Sequence, residues 1–138
     1  MKFLLDTNVV SELINNNPEE AVIQWLSDVP RNHLYISSIT LGEINMGIGK
    51  LPDGKKKSNL IIWFDKIQES SRYKTLPIDS EIALKWGEML ARSIKSGKTL
   101  PTIDCLIAAT AYIHSAILVT RNTKDFQSIP IQLLNPWL

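Results

Sequence analysis

Met1-Lys2-Phe3-Leu4-Leu5-Asp6-Thr7-Asn8 opens the chain, and the three apolar residues ahead of Asp6 set how the rest is read. Phe3 to Leu5 is too short for a helix and uniformly apolar, as a strand buried on both faces is. The stretch Met1-Lys2-Phe3-Leu4-Leu5-Asp6 is charged too soon for a secretory leader. An aspartate that directly closes a core strand is costly, because a carboxylate loses water there. Asp6 or Thr7 can cap a short helix running to about Ile14. A cap alone is a weak reason to place an acid so deep.

The same alternation continues outward. Asn17-Pro18-Glu19-Glu20 reads as a helix start, with Ala21, Val22, Trp25, Leu26 and Val29 forming one apolar stripe. Leu34 to Ile36 reads as a second strand and Thr40 to Gly47 as the helix after it. Gly47, Gly49, Pro52 and Gly54 then break the pattern. Ser58 to Glu69 has helical spacing in Leu60, Ile61, Phe64 and Ile67. Tyr73 to Leu76 reads as a short strand. Asp79 caps a long helix ending near Ser96, with Gly97 as its stop and Ile82, Trp86, Leu90 and Ile94 along one face. Lys95 to Pro101 is turn-rich. Thr102 to His114 is helical, Ile117 to Val119 is another buried strand, and Ile131 to Leu134 a last edge strand. Strands alternating with helices predict an α/β domain with a mostly parallel sheet.

The 138 residues fit a single domain, residues 1–138, and 44% hydrophobic content supports a real core. The longest apolar runs, such as Leu60 to Phe64, fall far short of the roughly 20 residues of a membrane helix. One cysteine, Cys105, excludes an internal disulfide and a cysteine zinc cluster; it falls among Leu106, Ile107 and Ala108 and reads as core. A cytoplasmic protein is the simplest reading. The net charge of +1 is not that of a basic nucleic-acid binder, so any such binding needs local patches. Lys50, Lys55, Lys56 and Lys57 against Asp53 make one candidate, and a solvated loop explains them equally well.

Open α/β sheets bind ligands at the carboxyl ends of their strands. Asp6 follows the first strand. Glu43 lies in the first turn of the helix after Leu34 to Ile36. Asp104 starts the helix from Thr102, and Asp125 follows Ile117 to Val119. In a parallel fold these four positions share one edge. Converging carboxylates repel one another, and a hard divalent cation resolves the repulsion. Such a site suits phosphodiester hydrolysis. Each acid also has a plain structural role: a cap for Asp6, dipole compensation for Asp104, a turn for Asp125. Thr40-Leu41-Gly42-Glu43 matches a capping box, and here capping and catalysis weigh about even. Thr120 can orient a carboxylate or water. Arg121 and Lys124 can hold phosphate or serve as surface charges. Trp25, Trp63 and Trp86 lie on apolar helical faces and read as core or dimer contacts.

Four motifs carry a resemblance. They are Leu4-Leu5-Asp6-Thr7-Asn8-Val9-Val10-Ser11-Glu12-Leu13, Ser38-Ile39-Thr40-Leu41-Gly42-Glu43-Ile44, Thr102-Ile103-Asp104-Cys105-Leu106-Ile107-Ala108-Ala109-Thr110-Ala111, and Val119-Thr120-Arg121-Asn122-Thr123-Lys124-Asp125-Phe126. With the terminal Asn135-Pro136-Trp137, this ordered set resembles PIN-domain ribonucleases, and more narrowly the VapC-type toxins of bacterial toxin–antitoxin pairs. The resemblance implies a three-layer α/β/α sandwich with a parallel central sheet and an endoribonuclease dependent on Mg2+ or Mn2+. It implies a homodimer blocked by a cognate antitoxin, with DNA contacted only through that antitoxin. Transfer RNA and ribosomal RNA loops are the substrates it suggests. Asp6, Glu43 and Asp104 match the family's core acids and are the expected metal ligands. Thr120 joins them in the expected catalytic set. Many relatives carry an acid where this chain has Asn122; others have the aspartate of Thr-Arg-Asn-x-x-Asp-Phe, here Asp125. Both remain candidates to complete the site.

Competing chemistries fit less well. Haloacid-dehalogenase-like phosphatases need a second aspartate where this chain has Asn8. Receiver domains need an acid after a middle strand, where this chain reads Tyr35-Ile36-Ser37-Ser38. With only His33 and His114, a two-histidine ribonuclease is poorly supported. The other reading is a weakly catalytic subunit of a DNA-binding regulatory complex formed with the antitoxin.

Overall fold

The computed structural model describes residues 1–138. Its strands are β1 (Phe3–Leu5), β2 (Leu34–Ser37), β3 (Lys74–Leu76), β4 (Ile117–Val119) and β5 (Leu133–Leu134). They form one sheet in the order β3-β2-β1-β4-β5, with every neighbouring pair parallel. The helices are α1 (Thr7–Glu12), α2 (Glu20–Asp28), α3 (Ser38–Gly49), α4 (Lys55–Glu69), α5 (Ser80–Lys95) and α6 (Thr102–Ile113).

The three-layer arrangement follows from the two-residue period of the strands. In β1, Leu4 points into one core and Leu5 into the other. In β4, Leu118 joins Leu4 and Val119 joins Leu5. Val9 and Val10 of α1, Val22 and Leu26 of α2, Ile44 and Ile48 of α3 and Phe64 of α4 cover the Leu5 side. Ile107, Ala108 and Ala111 of α6 cover the Leu4 side, with Met89 of α5 packed against them. Small alanines on α6 let that helix lie close to the sheet. Burial on both faces explains why β1 and β4 read as unbroken apolar runs.

Several boundaries differ from the expectations, each for a local reason. Asn17 does not cap α2: the helix begins at Glu20, after Glu19. Helix α3 begins at Ser38, directly from β2, and its cap is Ser37, whose Oγ accepts from the Ile39 amide at 3.2 Å. Thr40 is therefore inside the helix, and the expected capping box does not form. Helix α4 starts at Lys55, so Lys55, Lys56 and Lys57 occupy its first turn and not a loop. The last strand shortens to Leu133–Leu134. Asp79 caps α5 as expected, its Oδ1 accepting from the Ile82 amide at 2.9 Å. Gly97 follows α5 at φ +79°, a left-handed conformation that favours glycine. Trp25, Trp63 and Trp86 pack as structural residues. Trp25 meets Phe3 edge-on with ring centroids 5.2 Å apart, Trp63 packs against the larger core, and Trp86 is half-buried. No helix is long and apolar enough to cross a membrane.

Candidate active site

β1 lies between β2 and β4, and the chain leaves it for opposite edges of the sheet on the two sides. Such a reversal opens a crevice at the strands' carboxyl ends. Asp6 stands at that crevice. Its amide donates to the Val119 carbonyl at 2.9 Å, which extends the β1–β4 ladder by one residue and fixes the backbone. Its side chain is 6% exposed. Oδ1 accepts from the Thr7 amide at 2.8 Å, capping α1. Oδ2 accepts from the Thr120 hydroxyl, also at 2.8 Å. Capping and site membership are therefore two oxygens of one carboxylate.

Thr120 is the organising hydroxyl. Fully buried after β4, it donates to Asp6 and accepts from the Asn122 amide at 3.1 Å and the Asn8 side chain at 3.4 Å. The Asn8 carbonyl oxygen in turn accepts from the Arg121 amide at 3.5 Å. Glu43 is held from a different direction. The Thr7 hydroxyl donates to its Oε1 at 2.6 Å, across 36 positions of sequence. The glutamate thus faces the crevice and does not fold back on its own helix.

Asp104 sits in the first turn of α6, whose N-cap, Pro101, contributes no side-chain hydrogen bond. No side-chain hydrogen bond from the protein reaches its carboxylate. Burial, then the negative charges of Asp6, Glu43 and Asp125, push its pKa up to about 6. Burial likewise raises the pKa of Asp6, against the lowering effect of its bonds to Thr120 and Thr7, and Glu43 raises it further. Asp104 feels all three other acids, so the fold gathers the four into one electrostatic neighbourhood. They do not form a ready-made cage: no three His, Cys, Asp or Glu side chains converge as a metal-ligand set.

The donor chemistry still fits a divalent cation. All the acids supply hard oxygens, and magnesium retains several waters and needs few protein ligands. No Lys or Arg neutralises the cluster: the ion pairs are Lys57–Asp53, Lys85–Glu88 and Arg92–Glu88, all elsewhere.

Asp125 lies further out, exposed in a 3-10 turn at Thr123–Phe126, its amide bonded to the Asn122 carbonyl at 3.0 Å. Asn122 is exposed too and contacts Thr120 through its backbone. Arg121 stacks its guanidinium 5.3 Å from the Trp137 ring centroid. Cys105 is fully buried beside Asp104, and burial and that charge raise its pKa. Sequence reasoning missed two partnerships, Thr7 with Glu43 and Asn8 with Thr120. It also missed Glu12, a buried acid whose Oε1 accepts from Asn15 at 2.6 Å. A hydroxyl and an amide directly after a site aspartate were the only signal.

Residues 3–131 match the family model described as PIN domain. The chain is 34% identical to Toxin FitB of Neisseria gonorrhoeae, over 97% of each protein. It is 32% identical to VapC ribonuclease Y4jK of Sinorhizobium fredii, over 97% of this chain and 96% of that one. A solved structure of FitAB bound to an IR36 DNA fragment superposes with TM-score 0.87 at 33% identity, covering 99% of this chain and 96% of that one. The chain belongs to the PIN-domain family. Within that family its relatives place it among the VapC-type toxins.

Proposed function

We propose that this chain is a divalent-metal-dependent endoribonuclease, acting as the toxin of a toxin–antitoxin pair. The observation that carries the reading is the uncompensated acid cluster at the sheet's crevice, where Asp104 is pushed up to about 6 by burial and three neighbouring carboxylates. Groups perturbed in this way cluster at functional sites. Kinship to a protein named a ribonuclease supports RNA as the substrate.

Asp6, Glu43 and Asp104 are the side chains that would hold Mg2+ or Mn2+. When bound, such an ion supplies Lewis acidity toward a phosphoryl oxygen and lowers the pKa of water at the phosphorus. The protein's own residues do the positioning. Thr120 and the Thr7 amide hold Asp6 through both carboxylate oxygens. Thr7 fixes the Glu43 carboxylate with its hydroxyl. Asp104, with no hydrogen-bonded partner, keeps its acceptor capacity for a ligand. Asp125 adds negative charge at the rim, and Asn122 orients Thr120 through its amide.

The 138 residues act as a single domain, as a cytoplasmic homodimer inhibited by a cognate antitoxin protein. Kinship to FitAB on a DNA fragment favours a second role, as a weakly catalytic subunit of a DNA-binding complex that reaches DNA through the partner. Purified protein with a transfer RNA or ribosomal RNA loop separates the two. Cleavage is expected with Mg2+ or Mn2+ and not in EDTA, and Asp104→Asn is expected to abolish it while circular dichroism stays native. Retained cleavage in that variant would sink the metal-site model. Expression alone is expected to slow growth, and co-expression of the antitoxin to relieve it.

A further inference from the structure

A groove of about 420 Å³ opens beside the acid cluster on its Asp125 side. The turn between α5 and α6 forms one wall, from Lys98 to Pro101, and Lys124, Asp125 and Ser128 belong to the other. Pro101 is the residue from which α6 starts, so the groove ends one helical turn from Asp104. Lys98 and Lys124 are exposed, and neither takes part in an ion pair. Beyond them a second groove, of about 470 Å³, shares Leu100 and Ser128 with the first and carries Lys85, Arg92 and Tyr112. There the charge is partly cancelled: Glu88 lies 3.3 Å from Lys85 and 4.0 Å from Arg92. Each groove thus carries two cations and one acid, but in the first, next to the acid cluster, neither Lys98 nor Lys124 is paired.

This placement answers a physical difficulty. Carboxylates repel a phosphodiester, so a strand reaching them needs cations under its adjacent phosphates. We propose that Lys98 and Lys124 hold the backbone of single-stranded RNA on one side of the scissile bond, and that the strand continues over the α5–α6 turn. The inference rests on the nuclease reading above. A single strand fits better than a duplex, because a groove lined almost wholly by polar residues and turn backbone suits a flexible phosphate backbone.

The test is initial-rate cleavage of a single-stranded RNA oligonucleotide with Mn2+ across a salt series. Lys98→Ala/Lys124→Ala is expected to raise KM about tenfold with kcat within about twofold, the pattern of lost uniform binding. The slope of log(1/KM) against log salt is expected to become shallower by about 1.4, from about 0.7 per phosphate contact. Lys98→Arg/Lys124→Arg should restore KM. Arg31→Ala/Lys66→Ala, which removes the same net charge from exposed positions elsewhere, should leave KM near wild type. An unchanged KM and slope in the alanine pair overturns the track, as does an equal change in the Arg31/Lys66 control. Normal RNA kinetics with weakened antitoxin binding would make the groove a protein interface and also overturns it. Wild type without metal-dependent cleavage overturns the nuclease reading as well, so the two failures are distinct.

Discussion

Asp6 and Asp125 follow neighbouring strands of one sheet at the same edge, yet the fold holds them in opposite ways. Asp6 comes immediately after β1, is 6% exposed, and has both oxygens bonded. Asp125 comes six residues after Val119, in an exposed 3-10 turn, fixed by its backbone alone. The first is rigid because the sheet ladder continues through it. The second has no side-chain hydrogen bond to hold its carboxylate. Position relative to the last ladder hydrogen bond, more than position relative to the strand in sequence, separates a fixed carboxylate from a rim charge.

The largest expected effect probes the rigid side. Asp6→Asn should lower kcat/KM for RNA by about three orders of magnitude, since several kcal/mol of charge stabilisation depend on it. Thr120→Val keeps the shape and removes the hydroxyl that fixes Asp6; a loss of about 10–100-fold is expected, the range for groups that orient metal ligands. Asp125→Asn should cost less than about tenfold. Equal losses for Asp6→Asn and Asp125→Asn in the same assay would break the comparison.

The smallest effect is on stability, and its sign follows from Asp104. Its folded pKa, about 6, lies above the ordinary carboxylate value, so the folded state holds the proton more tightly than the unfolded state. The stability this contributes is fully present below the unfolded pKa and is lost as pH rises through about 6. In EDTA, wild type should therefore melt at a lower temperature at pH 8 than Asp104→Asn, and the gap should narrow as pH falls through 6. Added Mg2+ should raise the melting temperature of wild type more than that of the variant. A gap independent of pH, measured by calorimetry, would show that charge at Asp104 is not the cause.

Much of this was legible in the sequence because short apolar runs end sharply. Phe3 to Leu5 and Ile117 to Val119 gave strands with the observed bounds, and Asp79 and Gly97 bracketed α5. The start of α3 was not legible. Ser37 ends β2 and caps α3 with no loop between, so the usual polar spacer is missing and Thr40-x-x-Glu43 mimicked a cap three residues late. That error hid the state of Glu43, because its real partner, Thr7, is 36 residues away. Patterns near a residue report its local options; they carry no information about a hydroxyl brought in by another helix. Thr40 Oγ1, displaced from the capping role, is buried without a partner. The family motifs supplied the order of the acids. The unequal anchoring of Asp6 and Asp125 comes only from the hydrogen bonds.

The central place of β1 also bears on when the site can assemble as the chain is made. β1 is synthesised first, yet one of its two neighbours, β4, is made more than a hundred residues later. Until Ile117–Val119 leaves the ribosome, Asp6 has neither the Val119 carbonyl nor the Thr120 hydroxyl. At roughly 5–20 residues per second that delay is on the order of ten seconds. The anchorage of Asp6 therefore cannot form until β4 has emerged, however early β1 is made.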